Sequence, residues 1–566
     1  MRPSLPREGA GLLTSKRALA LTLLAAALLR LAALEQVPPP LNHDEASRLY
    51  DAWSLLDIGA DRTGRPWPFF LEGYGEGDFT AALTAYLTIP FVALLGPTVI
   101  AVRLPDALLS VITVALVWLW LRRAHSERVA SLAALFLAFD PWHVLVTRTG
   151  WEFGYVPFFL AAGMYAADCA GLLPRSIQSN RSLRWAICAA VMLAFSAWTY
   201  PATRMVTPLL CVALVVCNRS HYTGLLRIST GRRSILAFIV VTIIAGAPLW
   251  ITMLNDPGRL AARAKIALLD LRPAALPTSI PRAFGNYLGY FNPSHLVTFP
   301  EEITTIGIPG VGLHLWAVAP FIIVGFFLVI GRCRSDAFAR TLLLWLLLTP
   351  LPAAICGDIQ PHMIRVISGM VLWPILGAIG ADWAYIRLSS WQANSRRLLT
   401  AACAILFAAN AAHFIHQYFR VYPAHAELGF SSAFIRAMQY VTAHQKEADF
   451  VLVTNRVHQG YIYALHYAPI PPRELRANPP VVARGPQNFH QVLRVGRYFF
   501  APRDPVNYPD AQQLFQQVWS SLPSGARCFV VEQPGYFPSG ELVAYFPGAD
   551  PATHPGGYEV RRWRKE

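Results

Sequence analysis

Ala18–Leu34 reads ALALTLLAAALLRLAAL; Lys16-Arg17 precede it and Glu35-Gln36-Val37-Pro38-Pro39-Pro40-Leu41-Asn42-His43-Asp44-Glu45 follow. A run of that length crosses a hydrocarbon core as a helix. No small-x-small cleavage site follows it, so it reads as an uncleaved first span rather than a signal peptide. Similar runs recur over the first 416 positions of the 566. The whole chain is 54% hydrophobic and 14% charged, whereas soluble domains carry about 25% charged residues. The class is a polytopic membrane protein.

The net charge of +15 does not argue for nucleic acid. The arginines sit in short loops: Arg122, Arg123 and Arg128; Arg175, Arg181 and Arg184; Arg219, Arg227, Arg232 and Arg233; Arg332, Arg334 and Arg340; Arg387, Arg396 and Arg397. That distribution records topology by the positive-inside rule. It also settles an ambiguity. If segments 79–97, 104–121 and 128–147 all crossed, the Arg122/Arg123/Arg128 loop would lie outside and every later loop would invert. If 79–97 does not cross, every arginine loop falls inside. That segment carries Thr80, Thr84, Tyr86, Thr88 and Pro90, which suits an interfacial or re-entrant helix. The expected spans lie near 18–34, 104–121, 128–147, 153–170, 185–201, 203–217, 234–254, 312–331, 341–356, 365–386 and 398–416, about eleven in all. The N-terminus is expected inside and the C-terminus outside, in a cytoplasmic membrane.

The expected transmembrane domain is 1–416, with long outer loops at 35–103 and 255–311. Residues 417–566 are expected to form a soluble α/β domain outside. It reads as helix Ser431–His444, strand Phe450–Thr454, helix Gln459–Tyr467, helix Asp510–Ser521 and strand Cys528–Glu532. The eight cysteines show neither a disulfide framework nor metal spacing.

Polar residues cluster at the outer face. Asn42-His43-Asp44-Glu45 follows the first span, and a partly buried carboxylate there can act as a general base toward a hydroxyl. The competing reading is a helix N-terminal acid pair. His143 to Glu152 contains Arg148 at an outer span end, either a snorkelling anchor or a bidentate phosphate ligand. Pro361-His362-Met363-Ile364-Arg365 puts His362 and Arg365 one helical turn apart. Arg204 follows Tyr200-Pro201 at another outer span end. Each alone also reads as an interfacial residue. The third-span loop lacks an Asp-x-Asp and His413-x-x-His416 has no third ligand nearby, so a divalent metal is not favoured and no cofactor is firmly implied.

Together these residues resemble the GT-C superfamily of membrane glycosyltransferases, in particular prokaryotic members of the dolichyl-phosphate-mannose protein mannosyltransferase family and the lipid A aminoarabinose transferases. The resemblance spans roughly 15–416. It rests on His43-Asp44-Glu45, Tyr86-Leu87-Thr88-Ile89-Pro90-Phe91 with Leu95-Gly96, Ala101-Val102-Arg103-Leu104-Pro105, Thr147-Arg148-Thr149-Gly150-Trp151-Glu152, Thr199-Tyr200-Pro201-Ala202-Thr203-Arg204 and Pro361-His362-Met363-Ile364-Arg365. It departs in lacking a β-trefoil insert and in having Gly77-Asp78-Phe79-Thr80 where His-Pro-Pro-Leu begins the interfacial helix.

The resemblance implies inverting transfer of a sugar from a polyprenyl-phosphate donor to a glycolipid, polysaccharide or protein acceptor at the outer face. It implies Asp44 as catalytic base with Glu45 as helper, and Arg148, His362, Arg365 and Arg204 on the donor phosphate. His43, Glu152 and Tyr200 are assigned to substrate binding. Expected partners are the donor, an outer-face acceptor and membrane lipid, with no nucleic acid. Competing readings are a transporter, although no related halves are visible, a membrane scaffold for the outer domain, and a lipid-diphosphate-dependent polymerase or ligase.

Overall fold

Pro38, Pro39 and Pro40 have no N–H to donate, and any helix end leaves carbonyls without partners. The fold answers this with buried arginines. The computed structural model describes residues 9–75, 78–174, 183–258, 268–270, 272–299, 305–358, 360–453, 457–485, 489–502, 506–548 and 557–566, the side chains of 9–15 and 389 excepted. In it α1 (Gly9–Leu31) is followed by an irregular connector leading to α2 (His43–Ile58). Arg148 donates to the carbonyls of Leu29 at 2.7 Å, Ala32 at 2.7 Å and Val37 at 2.6 Å. Arg103 donates to those of Leu34 at 3.0 Å, Pro38 at 2.9 Å and Pro39 at 2.7 Å. In return Arg30, inside α1, donates to Leu137 at 3.1 Å and Ala138 at 2.9 Å. Those carbonyls end the helix α5 (Glu127–Ala138). Where lipid offers no water, each backbone group needs such a partner.

After α2 comes a hairpin of β1 (Phe70–Glu72) and β2 (Phe79–Ala81), paired antiparallel with Leu71 opposite Thr80. Then follow α3 (Leu83–Leu95) and α4 (Val99–Ala124). With 13 residues, α3 is about 20 Å long, short of a core about 30 Å thick. Among the described residues, Val99–Ala124, Ala337–Ala354 and Ala393–Ala426 are each long and apolar enough to cross a membrane. Three bent pairs pass only together: Thr203–Cys217 with Arg219–Leu226, Ser229–Ala245 with Ala247–Asn255, and Met363–Gly369 with Leu372–Arg387.

Length alone therefore marks up to six spans against the eleven expected. Other expected segments are helical but short or interrupted. The segment 128–147 is two helices, α5 and α6 (Pro141–Val146), because Asp140-Pro141 starts a new helix. One Asp140 carboxylate oxygen accepts from the His143 N–H at 2.9 Å, and the other lies 2.5 Å from His314 Nδ1. The helices α7 (Val156–Cys169), α8 (Leu183–Thr199) and Ala319–Arg332 are 14, 17 and 14 residues long. The loop with Arg175 and Arg181 lies outside the described residues. Helix 319–332 packs closely on helix 372–387. A Cβ on Gly325 would sit 1.9 Å from the Leu376 carbonyl, and one on Gly380 would sit 2.0 Å from that of Phe321. Small residues allow such contact.

Beyond Ser431 the chain forms a seven-stranded mixed sheet in the order β4-β5-β6-β3-β7-β9-β8. Its strands are β3 (Phe450–Val453), β4 (Val481–Arg484), β5 (His490–Val495), β6 (Tyr498–Phe500), β7 (Arg527–Glu532), β8 (Glu541–Phe546) and β9 (Tyr558–Arg564). The central strand β3 runs parallel to β6 and β7, and the outer pairs are antiparallel. Thr454, expected at the end of β3, lies outside the described residues. This unit does not stand apart. Leu49, Tyr50 and Leu55 of α2 share one buried core with Phe434, Met438, Ile462 and Leu465. Tyr50 donates to the Ile470 carbonyl at 2.8 Å, and the His490 N–H donates to that of Tyr74 at 2.6 Å. Segment 35–103 and the C-terminal unit thus share one core.

Candidate active site

The start of α2 decides what each of the adjacent carboxylates can do. Asn42 is the cap: its side chain accepts from the Asp44 N–H at 3.0 Å, and its own N–H donates to Glu45 at 2.9 Å. This capping box turns Glu45 inward. There it meets Arg103 Nε at 2.8 Å and Nη2 at 3.1 Å, and the Gly150 N–H at 3.0 Å, with both charged side chains wholly buried. Asp44 turns outward, and its side chain is 47% exposed at the mouth of a cavity. His43 Nε2 lies 3.6 Å from Asp44, and the His43 carbonyl accepts from Tyr74 at 2.6 Å.

One turn along α2, Arg48 reaches Glu152 at 2.5 Å. The loop bearing Glu152 is pinned on both sides, by Arg148 on the connector and by Gly150 on Glu45. Gly150 packs so closely on α4 that a Cβ would lie 2.8 Å from Val102 Cγ2. The turn between α8 and α9 (Thr203–Cys217) supplies Tyr200, and the first turn of α9 supplies Arg204. Thr203 Oγ1 donates to the Tyr200 carbonyl at 2.7 Å, and the Arg204 guanidinium lies 5.4 Å from the Phe70 ring. Nε and Nη2 of Arg204 are buried without a partner. Burying such donors costs free energy until an acceptor arrives. Across the cavity Arg365 grips Asp358 with both Nη atoms at 2.5 Å. Burial alone would raise the Asp358 carboxyl, but the Arg365 hydrogen bonds and charge hold it below the usual carboxylate range. The His362 N–H donates to Tyr290 at 2.8 Å.

The cavity has a volume of about 490 Å³, within the usual range for ligand sites. His43, Asp44, Glu152, Tyr200, Arg204, His362 and Arg365 all line it. Its other walls are mostly apolar, with Trp151, Met205, Ile306 and Ile355 beside Asn42, Thr80, Thr199 and Thr305. It suits an amphiphile with a charged head. Two expected site residues do not line it. Arg148 is fully buried and spends its donors on the connector carbonyls and on Tyr418, so it is removed from the phosphate set. Glu45 is saturated by Arg103, Asn42 and Gly150, so it is removed from acceptor handling. Arg48 is a site neighbour that sequence reading missed; its one signal is its place one turn after Glu45. No group of three or more metal-binding side chains occurs among the described residues.

No family model matches the chain, and no curated protein matches it. Solved structures do. ArnT from Cupriavidus metallidurans bound to undecaprenyl phosphate aligns over 98% of both chains with 12% identity and a TM-score of 0.56, and its apo form gives 0.57. The archaeal oligosaccharyltransferase AglB from Archaeoglobus fulgidus, in complex with an inhibitory peptide and a dolichol-phosphate, aligns over 93% of this chain and 70% of its own. Its identity is 12% and its TM-score 0.51. The chain therefore shares the fold of ArnT and AglB. At this identity the likeness is one of architecture, carried through the C-terminal unit as well as the helices.

Proposed function

We propose that the protein is an inverting glycosyltransferase that moves a sugar from a polyprenyl-phosphate donor to an acceptor hydroxyl at the outer face of the cytoplasmic membrane. The observation that carries this is Arg204. A guanidinium with buried, unpartnered donors lines the same cavity as the exposed carboxylate of Asp44. The bound lipids named for the two structural relatives, undecaprenyl phosphate and dolichol-phosphate, are of the class this cavity suits.

In the proposed reaction the acceptor oxygen bonds to the anomeric carbon as the bond from that carbon to the phosphate oxygen breaks. Asp44 takes the acceptor proton, and the leaving polyprenyl phosphate carries away the electron pair. Arg204, with His362 and Arg365, stabilises the charge that grows on the phosphate. One displacement without a glycosyl-enzyme inverts the centre. Glu152, held by Arg48, together with His43 and Tyr200, positions the sugar or acceptor. Arg148 and Glu45 hold the frame. The test is turnover of a radiolabelled polyprenyl-phosphate sugar by the purified protein in liposomes. Release of free polyprenyl phosphate that is lost in Asp44→Asn and Arg204→Ala supports the reading; release unchanged in both variants overturns it.

A further inference from the structure

A second cavity, of about 380 Å³, lies between the first outer loop and the C-terminal unit. Ser54 and Asp61 line it from one side, and Tyr461, Arg476 and His490 from the other. Ser54 and Asp61 are 0% and 1% exposed, and Ser54 Oγ and Asp61 Oδ2 have no hydrogen-bond partner. The orphan oxygen of Asp61 is held in place. Its sister Oδ1 accepts from the Thr63 N–H at 2.9 Å, the Thr63 hydroxyl at 2.8 Å and the Arg65 N–H at 3.0 Å. Buried polar atoms in native structures find partners, so this arrangement calls for a ligand with hydroxyl-type donors.

The rest of the lining narrows the class. Asp61 and Glu72 disfavour an anion, while Arg62 and Arg476 disfavour a cation. The Tyr74 and Tyr461 rings offer flat apolar surface. A neutral ligand with hydroxyls on its edges and C–H groups on its faces fits all of these, and that is a sugar.

The two cavities share structural elements. His43 and Asp44 at the start of α2 line the first, and Ser54 and Ile58 near its end line the second. Residues 44 and 54 are about 15 Å apart along a helix. Glu72 and Tyr74 of the hairpin face the second cavity, and Phe79 to Ala81 face the first. We infer that the second cavity is a carbohydrate-binding subsite that holds a sugar unit of a glycan acceptor remote from the reacting hydroxyl. The acceptor role rests on the transferase reading; the sugar binding does not.

Val482 is 41% exposed and lines the cavity, so Val482→Trp plugs it from a surface strand without touching the core. Saturation-transfer NMR on the full chain in micelles, with trisaccharides of glucose, mannose, galactose and N-acetylglucosamine as probes, tests the site. At least one trisaccharide should receive saturation from the wild type. Val482→Trp and Asp61→Asn should weaken its binding at least tenfold, and Asp44→Asn should leave it unchanged. Val482→Trp should also raise KM for a glycan acceptor while leaving kcat intact. Absence of binding for all four probes, or binding that neither cavity variant weakens, overturns the subsite. Binding lost in Val482→Trp by a protein that consumes no lipid-phosphate sugar keeps the subsite and removes the transferase reading instead.

Discussion

Replacing Asp44 by Asn and, separately, Glu45 by Gln perturbs adjacent carboxylates whose surroundings are opposite. Glu45 accepts four hydrogen bonds, two from Arg103 and one each from the N–H groups of Asn42 and Gly150. Neither Glu45 nor Arg103 has any exposed side-chain surface. Gln in place of Glu45 leaves a buried guanidinium without its counter-charge, and breaking such a pair costs about 3–5 kcal/mol. It also loosens the Gly150 turn that presents Glu152. Asp44 is 47% exposed, so Asn there should change stability by less than about 0.5 kcal/mol. If Asp44 is the base, the same substitution removes a contribution of about 10²–10⁴ in rate, equivalent to roughly 2.7–5.4 kcal/mol of barrier. Thermal unfolding and transfer rate, measured on both variants in liposomes, should separate cleanly. Asp44→Asn should be stable and slow, and Glu45→Gln should be unstable. A stable Asp44→Asn protein that keeps its rate within a few fold would refute the base assignment. An unimpaired unfolding temperature in Glu45→Gln would refute the structural role of the pair.

Arg204→Ala removes a charge-assisted contact of about 1.5–3 kcal/mol, so KM for the donor should rise roughly 10- to 150-fold, while the donor-free protein unfolds no earlier than wild type. Arg148→Lys loses the fork that spans several carbonyls, and it should lower the yield of folded protein while the surviving fraction keeps its donor KM within about twofold, against the phosphate reading. The lowered Asp358 carboxyl has a definite sign: its stabilisation is present above the unfolded value of about 3.9 and is lost as pH falls through the lower folded value. Unfolding temperature against pH should therefore fall less steeply below about pH 4 in Asp358→Asn than in wild type. A reporter fused after residue 125 should read cytoplasmic, and fusions at 60 and 450 should read outside; an external reading at 125 would invert the topology.

Hydrophobic run length made the helical, membrane-type character of the first 416 residues legible, because lipid imposes length rules that depend little on tertiary context. It did not give the span count, with up to six spans long enough among the described residues against the eleven expected. Interruptions were harder to see. The break at Asp140-Pro141 is a local cap followed by proline, set inside an apolar run that reads as one span. The His314 partner of Asp140, 174 residues away, is what local patterning cannot hold. In the C-terminal unit, β3 and β7 were legible as apolar runs. The strands β4, β5, β6, β8 and β9 were not. Tyr558–Arg564 carries Glu559, Arg561, Arg562 and Arg564, and β6 has only three residues. Such strands form because neighbours pair with them, as β-propensity depends on context.

Arg148 and Arg204 show where residue type stops being informative. Both fall at expected outer span ends and both read from sequence as phosphate ligands. What separates them is the backbone beside each. Arg148 faces a connector of three prolines and a helix end, whose carbonyls take up its donors. Arg204 faces the Phe70 ring and a turn already closed by Thr203, so its Nε and Nη2 stay unspent. A cation whose hydrogen bonds are consumed by the backbone serves the fold, and one whose donors are buried and idle is poised for a ligand. On the anionic side Glu45 is wholly buried and saturated by Arg103, Asn42 and Gly150, whereas the Asp44 carboxylate is 47% exposed at the cavity. The saturated Arg103 and Arg148 fix the frame on which that carboxylate and the Arg204 guanidinium are held.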